Sequence, residues 1–201
     1  MSGVEQRRAE RRAQARKTIR LEVLDAARRV AGRDGARNLS LRNVAAEAGY
    51  APAALYGYFR NRDDLVLALA ADDLASMARA MRETAVAHRA EFRLHAVASL
   101  AVDLLAKGET FAAASACMNG SNDSEAERLF NGRLISVLTV LSAAAGVSAE
   151  RRDTQADVVL LAAAVTGLAL LRRAGRLQTL GFPVDEILAR LPQLSCAPVA
   201  V

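Results

Sequence analysis

The sequence predicts an all-α protein on the basis of its composition, its hydrophobic periodicity and the placement of its helix boundaries. The 201 residues are 52% hydrophobic and 4% aromatic. Alanine and arginine are abundant, whereas the β-branched residues that favour strands are sparse. Apolar residues recur at helical spacing, and neither a strand pattern nor an internal repeat is evident. Glycine, proline and capping residues divide the chain into successive helices.

The first helix is predicted over residues 17–34, after a basic flexible arm at residues 1–16. The arm contains no large apolar side chain besides Met1 and Val4, and we expect it to be able to become helical near a partner. Glycines in "GRDGA" are predicted to end the helix. Its inner face is predicted from apolar residues at helical spacing, namely Val23, Leu24, Ala27, Val30 and Ala31.

Two short helices follow, and a tight turn separates them. Ser40 is predicted to cap the first of them, because its hydroxyl can accept hydrogen bonds from the free N–H groups of the first turn. Gly49 is predicted to end that helix. The next begins at Ala51 or Pro52, since proline suits a first helical position, which needs no backbone hydrogen bond. Two such helices around a glycine-containing turn predict a helix-turn-helix.

The rest of the chain is predicted to be helical as well. Asn61 is expected to cap a fourth helix that runs to about residue 86. Further helices are predicted near residues 90–107, 110–118, 123–145, 150–174 and 184–191. The longest apolar run, residues 158–171, is shorter than the roughly 20 residues that span a bilayer. We therefore expect a helix in the core or at a subunit interface, and no membrane partner.

The positive charge is concentrated in the first third of the chain. Residues 1–62 hold 14 Lys/Arg and 6 Asp/Glu, whereas residues 63–201 hold 13 Lys/Arg and 16 Asp/Glu. This distribution favours a polyanionic partner such as nucleic acid at the N-terminal end. Taken alone, the same charge favours a solvated basic tail.

The segment at residues 39–65, "LSLRNVAAEAGYAPAALYGYFRNRDDL", resembles the DNA-binding domain of TetR-family transcriptional regulators. The matching positions are Ala45, Ala48, Gly49, Leu55, Tyr56, Tyr58, Phe59, Asn61, Arg62 and Leu65. The resemblance implies a three-helix helix-turn-helix DNA-binding domain at residues 17–65. It also implies a helical effector-binding and dimerisation domain at residues 66–195, with a tail at 196–201.

The expected base-reading surface is slim. A recognition helix enters the major groove, which is about 12 Å wide. Pro52, Ala53, Ala54 and Gly57 form the face expected to enter it, where such residues can touch thymine methyl groups but cannot form bidentate hydrogen bonds. Arg42 is the preferred candidate for guanine O6 and N7, and the resemblance implies a DNA contact at its position. Asn43 is the second candidate, and Arg42 could instead be a surface charge.

Phosphate contacts are expected from the aromatic segment that follows. Tyr56 and Tyr58 can donate phenolic hydrogen bonds to phosphates, which set register without reading sequence. The resemblance implies this role for both tyrosines and for Arg62, although Tyr56 could also be a half-buried core residue. Ser40 is expected mainly as a cap, with a DNA contact as a second role. Tyr50 is expected to pack at the turn.

Two positions depart from the family pattern. Where the family often has Ser or Thr, this chain has Ala51 and Ala54. The third helix therefore lacks a side-chain acceptor at its N-cap, and a hydroxyl contact to phosphate is missing. Operator affinity or preference is expected to differ accordingly. The arginines of residues 1–16 are expected to make at most nonspecific contacts with phosphates or the minor groove.

The C-terminal residues are expected to provide an effector pocket and a dimer interface, with plain core packing as the alternative for both. The candidate pocket residues are Met77, Met81, Phe92, His95, Phe111, Cys117, Met118 and Phe130. The candidate interface residues are Leu160, Ala164, Gly167, Leu168, Leu171, Ile187, Leu188 and Leu191. Sparse charge and aromatic content favour an apolar effector.

Enzymatic function is not expected. The cysteines, Cys117 and Cys196, match no metal or redox spacing, and the sequence shows no phosphate-binding loop, zinc signature or cofactor motif. Cys117, His95 and Asp103 could form a nucleophile set, but their spacing does not require one. No signal peptide pattern is evident, so a cytoplasmic protein is expected.

The leading hypothesis is a homodimeric, ligand-responsive regulator that a small, mostly apolar effector releases from a palindromic double-stranded DNA operator. The alternative is a nonspecific nucleoid-type DNA-binding protein that has no effector and uses its basic arm.

Overall fold

A computed structural model describes residues 3–117, 124–147 and 152–191, and all regular structure within these ranges is helical. The predicted fold class is confirmed. A short 3-10 helix, Ala36–Asn38, lies between the first two α-helices. In chain order, the α-helices are α1 (Gly3–Asp34), α2 (Leu41–Ala48), α3 (Pro52–Leu55), α4 (Arg62–Ala87), α5 (Ala90–Lys107), α6 (Thr110–Cys117), α7 (Glu125–Ala144), α8 (Arg152–Arg173), α9 (Arg176–Leu180) and α10 (Val184–Leu188).

The chain forms two compact units. The first comprises residues 1–70 and 109–128, and the second comprises residues 71–108 and 129–201. Helices α4 and α7 each contribute residues to both units. The predicted division into a DNA-binding and an effector-binding domain at residues 65 and 66 stays a prediction. The predicted tail, residues 196–201, lies outside the described residues.

The N-terminal helix is longer than predicted. The predicted start at residue 17 is wrong, because α1 begins at Gly3 and continues to Asp34; the flexibility of the arm stays a prediction. Arginine, alanine, glutamine and glutamate dominate this segment, and all four are strong helix formers. Extending an existing helix costs far less than nucleating a new one. The amide of Gln6 also donates to the Glu10 carboxylate one turn later, with Nε2 and Oε1 3.4 Å apart.

The first unit has a core shared by α1, α2, α3 and the start of α4. Apolar side chains from all four helices are buried in it, including Val23, Val30, Val44, Leu55 and Leu65. Gly49 ends α2 in the left-handed region at φ 75°, a conformation that glycine adopts without steric cost. The helix-turn-helix prediction is confirmed in α2 and α3.

Helix α3 is shorter than expected. It ends at Leu55, and residues 56–58 form a turn in which Gly57 N–H donates to Ala54 O and Tyr58 N–H to Leu55 O. These i to i−3 bonds tighten the chain as a 3-10 turn does. Phe59 follows the turn and is only 2% exposed, so the segment is anchored on both sides by buried side chains.

The second unit is built around α5, which packs against α8 and α10. Its core contains Met81, Val97, Phe130, Val165 and Leu188. Helix α9 was missed by the sequence analysis, which predicted a loop there. It is five residues long and lies between Gly175 and Gly181, which both have left-handed backbone conformations. In the sequence, two glycines this close together are typical of a loop, so they hide the short helix between them.

One helix of the second unit has the length and composition of a membrane span. Within α8, Thr154–Arg173 is apolar enough by hydropathy, and the most apolar window is 28% buried. The uninterrupted apolar run, residues 158–171, is shorter than this stretch because polar residues flank it within the helix. Length and composition alone do not distinguish a membrane span from an interface helix, and α8 packs one face against α5.

Candidate nucleic-acid interface

The N-terminus of α2 is fixed by a reciprocal capping box. The Ser40 hydroxyl accepts from Asn43 N–H at 3.1 Å, and the Asn43 side-chain oxygen accepts from Ser40 N–H at 2.8 Å. The Asn43 amide nitrogen also donates to Asn38 O at 3.0 Å. The cap predicted for Ser40 is confirmed. Both polar ends of the Asn43 side chain are engaged within the protein, so its contact with DNA stays only a prediction.

Arg42 has a different environment from its neighbours. It lies on the exposed side of α2, and no hydrogen bond or ion pair engages it within the described part of the chain. Pro52, Ala53 and Ala54 are also exposed, and Pro52 occupies the predicted first position of α3. Within the described residues, the helix-turn-helix therefore combines the exposed Arg42 on α2 with an exposed face of small apolar residues on α3.

The three tyrosines have three different environments. Tyr56 is 62% exposed, so the alternative that it is a core residue is wrong. Tyr58 is half-buried, and the Arg16 guanidinium lies 5.2 Å from its ring centroid. Tyr50 donates to the Glu22 carboxylate at 2.6 Å, which ties the turn to α1 and gives this tyrosine a more specific role than packing. That hydrogen bond raises the pKa of the Tyr50 phenol.

Arginines of α1 hold the turn after α3. Arg16 Nη2 donates to Gly57 O at 2.6 Å, and the Arg20 guanidinium lies 4.9 Å from the Phe59 ring centroid. Sequence reasoning gave Arg16 only a nonspecific DNA contact and did not single out Arg20. The aromatic cluster itself was the available signal, because arginine stacks readily on aromatic rings.

Arg62 is bound within the protein. Its Nε donates to Leu39 O at 3.0 Å, and its Nη2 donates to Arg37 O at 3.0 Å and Ala36 O at 3.3 Å. Its Nη1 donates to the Asp63 carboxylate at 3.1 Å. The resemblance implied that Arg62 reaches a phosphate, but the structure aims its guanidinium at the 3-10 helix and the loop before α2. The phosphate contact stays an untested prediction with this competing role.

Part of the positive charge on α1 is neutralised away from the recognition helix. Arg29 Nε and Arg33 Nη1 contact the two oxygens of the Glu47 carboxylate at 2.8 and 3.1 Å. The hydrogen bond from Arg29, followed by that from Arg33, lowers the pKa of Glu47. No hydrogen bond, ion pair or ring contact is recorded in the described ranges for Arg7, Arg8, Arg11 and Arg12 near the start of the same helix.

The predicted effector-pocket residues have different environments, and their role in a pocket stays a prediction. Met77, Met81 and Phe130 are buried, whereas Phe92 is 60% exposed. Phe111 and Cys117 belong to the first unit and His95 to the second, and Met118 lies outside the described residues. An open groove of about 570 Å³ occurs elsewhere in the second unit. It is lined by Arg82, Ala85, Val86, Arg93, Ser136, Thr139, Val140, Ala143 and Ala144.

The predicted dimer residues divide between two environments. Leu168, Leu188 and Leu191 are buried within their own unit, and their interface role stays an untested prediction. Leu160 is 67% exposed and Leu171 is 41% exposed, and both lie opposite the buried side of α8. Gly167, Ala164 and Ile187 are partly exposed. These five stay predicted interface residues as well.

The conceivable nucleophile set is not supported by its cysteine. Cys117 Sγ lies 3.3 Å from the Asp63 carboxylate and donates to Ala113 O at 3.2 Å. Burial, together with the hydrogen bond to Asp63, raises the pKa of the Cys117 thiol. A nucleophilic cysteine requires the opposite shift, because the thiolate is the reactive form.

The capped α2, the tight turn and the exposed α3 place this chain in the class of helix-turn-helix DNA-binding proteins. Residues 23–69 match the family model described as bacterial regulatory proteins, tetR family. Residues 23–69 are therefore similar to the corresponding segment of TetR-family regulators.

A curated relative agrees with this assignment. The HTH-type nicotine-responsive transcriptional repressor HdnoR of Paenarthrobacter nicotinovorans is 38% identical over 78 residues. This match covers 35% of the present chain and 40% of the repressor. The chain thus spans about two fifths of the length of the relative that it matches.

Solved structures of similar fold extend over most of the chain. A TetR transcriptional regulator from Rhodococcus sp. RHA1 has a TM-score of 0.66 at 18% identity, covering 92% of this chain and 99% of the other. The transcriptional regulator FadR from Bacillus subtilis, solved in complex with stearoyl-CoA, has a TM-score of 0.60 at 18% identity, covering 87% and 96%. At these identities the likeness establishes the fold.

The Arg62→Ala variant is expected to lower the free energy of unfolding by about 2–3 kcal/mol, because it leaves partly buried carbonyls without their charged donor. Urea denaturation followed by circular dichroism at fixed protein concentration measures this change. The matched control, Arg42→Ala, removes an exposed arginine without a partner and is expected to change stability by less than about 0.5 kcal/mol. Equal stability of the two variants would contradict the internal role of Arg62.

Cys117 is expected to be alkylated by iodoacetamide at pH 8 more slowly than N-acetylcysteine, since its raised pKa lowers the thiolate fraction. The rate is measured in a Cys196→Ser background by mass spectrometry. The Asp63→Asn variant is expected to react faster, because it removes the negative charge that opposes thiolate formation. A Cys117 rate above that of the free thiol would revive the nucleophile hypothesis.

Proposed function

We propose that this protein is a cytoplasmic, homodimeric regulator that binds a palindromic operator and acts as a ligand-responsive repressor. The observation that carries the proposal is the contrast between Arg42 and its neighbours. The side chains of Asn43 and Arg62 form hydrogen bonds within the protein. Arg42, in contrast, is exposed on α2, and the small residues of α3 are exposed as well. A single guanidinium left free at that position suits base recognition.

The proposed contacts fall into two kinds. Arg42 reads guanine through O6 and N7, and residues 52–54 approach thymine methyl groups. Tyr56 donates its exposed phenol to a phosphate, and Tyr58 does so from a ring held by Arg16. We assign Arg62 to the positioning of α2, through its bonds to the loop in front of that helix. Ser40 serves α2 primarily as its cap.

A dimer supplies the second recognition helix. Helix-turn-helix dimers read two half-sites separated by one turn of DNA, about 34–36 Å. One stripe along the outward side of α8 supports this assembly, because it is formed by six exposed apolar residues, while the exposed polar residues Gln155, Asp157, Arg172 and Arg173 lie near the ends of the helix. The apolar residues of the stripe are Ala156, Val159, Leu160, Ala163, Leu170 and Leu171. An apolar helix face of this kind is rarely left in water on a monomer.

Release from DNA is proposed to follow a population shift. An effector that binds preferentially to a state with wrongly spaced recognition helices reduces operator affinity. The largest possible reduction equals the ratio of the effector's affinities for that state and for the DNA-binding state. The named relatives support a small-molecule effector: one is described as nicotine-responsive, and another was solved with stearoyl-CoA. We propose a small and mostly apolar effector for this chain.

A nonspecific nucleoid-type protein is the second candidate. The observation in its favour is the run of exposed arginines on α1, at Arg7, Arg8, Arg11 and Arg12. Selection of bound DNA from a random pool separates the two functions. Enrichment of a palindrome supports the regulator, and a pool that stays random supports the nucleoid-type protein.

The Arg42→Ala and Tyr56→Phe variants are expected to separate base reading from phosphate binding. Loss of Arg42 should cost about 1–3 kcal/mol on the selected operator and relax preference at one base pair. Loss of the Tyr56 hydroxyl should weaken binding to all sequences alike. Fluorescence anisotropy with the operator and with each single-base variant measures both effects.

The control for that pair is Ser76→Ala, an exposed position on α4 outside the helix-turn-helix unit. It should bind every sequence as the unsubstituted protein does. If Arg42→Ala and Tyr56→Phe both bind the operator with unchanged affinity, α2 and α3 are not the DNA-reading surface.

The Leu160→Glu variant is expected to convert the dimer to a monomer, because it places a charge in the centre of the apolar face of α8. Sedimentation velocity at micromolar concentration measures the mass. The matched control is Leu21→Glu, a leucine of α1 with 44% exposure, which should leave the dimer intact. A dimer that survives Leu160→Glu would place the interface elsewhere.

A further inference from the structure

The open groove of the second unit has an unusual combination of lining groups. It is formed by the last turns of α4, the first turn of α5 and the C-terminal half of α7. Val140 and Ala144 are buried, and Ala85, Val86 and Ala143 add apolar surface at its sides. Two arginines, and no carboxylate, complete the lining. The groove is therefore apolar with an uncompensated positive charge.

The hydroxyl groups in the groove add little polarity. Ser136 Oγ donates to Gly132 O at 3.0 Å, and Thr139 Oγ1 donates to Ile135 O at 2.9 Å. Each hydroxyl thus bonds back to its own helix. The groups that remain for a ligand are the two guanidinium groups and the surrounding hydrocarbon.

Both arginines have guanidinium N–H groups that are available to a ligand. Arg93 Nε donates to Ala85 O at 2.9 Å, which satisfies one of the last carbonyls of α4 and holds the side chain at the groove. Across the described residues, its two terminal nitrogens have no recorded partner. Arg82 is exposed, and the described ranges hold no hydrogen bond or ion pair to it.

The helix ends at the groove do not cancel this charge. The C-termini of α4 and α7 each carry roughly half a negative charge. Their terminal carbonyls are already engaged, however. Arg93 bonds Ala85 O, His88 bonds Thr84 O, and the N–H groups of Gly146 and Val147 donate to the last turn of α7. Two full positive charges exceed these partial and capped negative ends.

We propose that this groove binds an amphipathic anion, a hydrocarbon chain or ring that ends in one carboxylate or phosphate. The apolar part lies against Val140, Ala144 and Ala85, and the head group is held by Arg82 and Arg93. The volume falls within the range of about 300–1,000 Å³ typical of small-molecule sites. That such a ligand controls DNA binding rests on the proposed function; its binding to the groove does not.

Helix α4 gives this ligand a route to regulation. Arg82 and Ala85 lie near its end, and Arg62, which holds the loop in front of α2, lies at its start. A ligand held by Arg82 therefore acts on a helix that contributes residues to both units.

Titration calorimetry with four ten-carbon probes tests the head-group preference. Decanoate and decyl phosphate should bind, and 1-decanol and decyltrimethylammonium should bind at least about tenfold more weakly, the factor for one charge-assisted hydrogen bond. The tighter of the two anions identifies the head group. Equal binding of decanoate and 1-decanol, or tighter binding of the cation, would overturn the proposal.

Variants place the binding in the groove. Arg82→Ala should weaken decanoate binding about tenfold. The control Arg79→Ala removes another exposed α4 arginine that does not line the groove, and should leave binding unchanged. Ala143→Phe fills the groove from an exposed position and should abolish binding of both anions. Equal effects of Arg82→Ala and Arg79→Ala, or full binding by Ala143→Phe, would refute the site.

Two further readouts separate this proposal from the regulator function. If Ala143→Phe changes the sedimenting mass, a second copy of the chain occupies the groove and the ligand site is refuted. Operator binding is measured with and without decanoate. A palindromic operator that decanoate does not release refutes only the regulatory part. Failure to select any operator refutes the regulator function. Decanoate binding to the groove is tested separately, by the calorimetric titration.

Discussion

The bonds of the Arg62 guanidinium to the backbone in front of α2 constrain the whole reading surface. They join the first residue of α4 to Leu39 O and to the carbonyls of the 3-10 helix. A charged donor shared among backbone acceptors is stronger than a neutral one and has a planar, fixed geometry. Leu39 directly precedes the Ser40 cap, so the same bonds that fix the loop also fix where α2 begins and where Arg42 points.

The polar groups around the helix-turn-helix are divided between positioning and recognition. Asn43, Arg16 and Tyr50 all bond within the protein, and each of these bonds joins segments that must keep their relative arrangement on DNA. Few hydrogen-bonding groups then remain for the bases. In the proposed operator complex, Arg42 is the one candidate for bidentate base contacts, and the remaining selectivity would come from thymine methyl groups and from the shape and flexibility of the duplex.

The sequence was sufficient for the features that local chemistry determines. The Ser40 cap, the left-handed Gly49, Pro52 at the start of α3 and the Asn61 cap, whose side chain accepts from Asp64 N–H at 2.8 Å, each follow from one residue and its neighbours. Leu55 and Phe59 follow from the hydrophobic pattern.

The rest depended on contacts between residues distant in sequence. Arg62 and Leu39 are 23 positions apart, and Tyr50 and Glu22 are 28 apart, so no local pattern reveals these pairs. The start of α1 was misjudged because the absence of apolar residues says nothing against a helix that propagates outward from a buried segment. For α8, the hydrophobic pattern predicted an apolar helix. It did not reveal which side of that helix is buried within the chain and which side is exposed.

The brevity of α3 has a thermodynamic consequence. Four residues are far too few to be helical in isolation, because nucleation alone is unfavourable. The base-reading surface therefore exists only while Leu55 and Phe59 remain docked in the core. Under the proposed function, warming that loosens this core would remove the surface formed by α3, so occupancy of the operator would follow the local stability of this unit. On the proposed function, operator binding therefore depends on temperature through the stability of this unit.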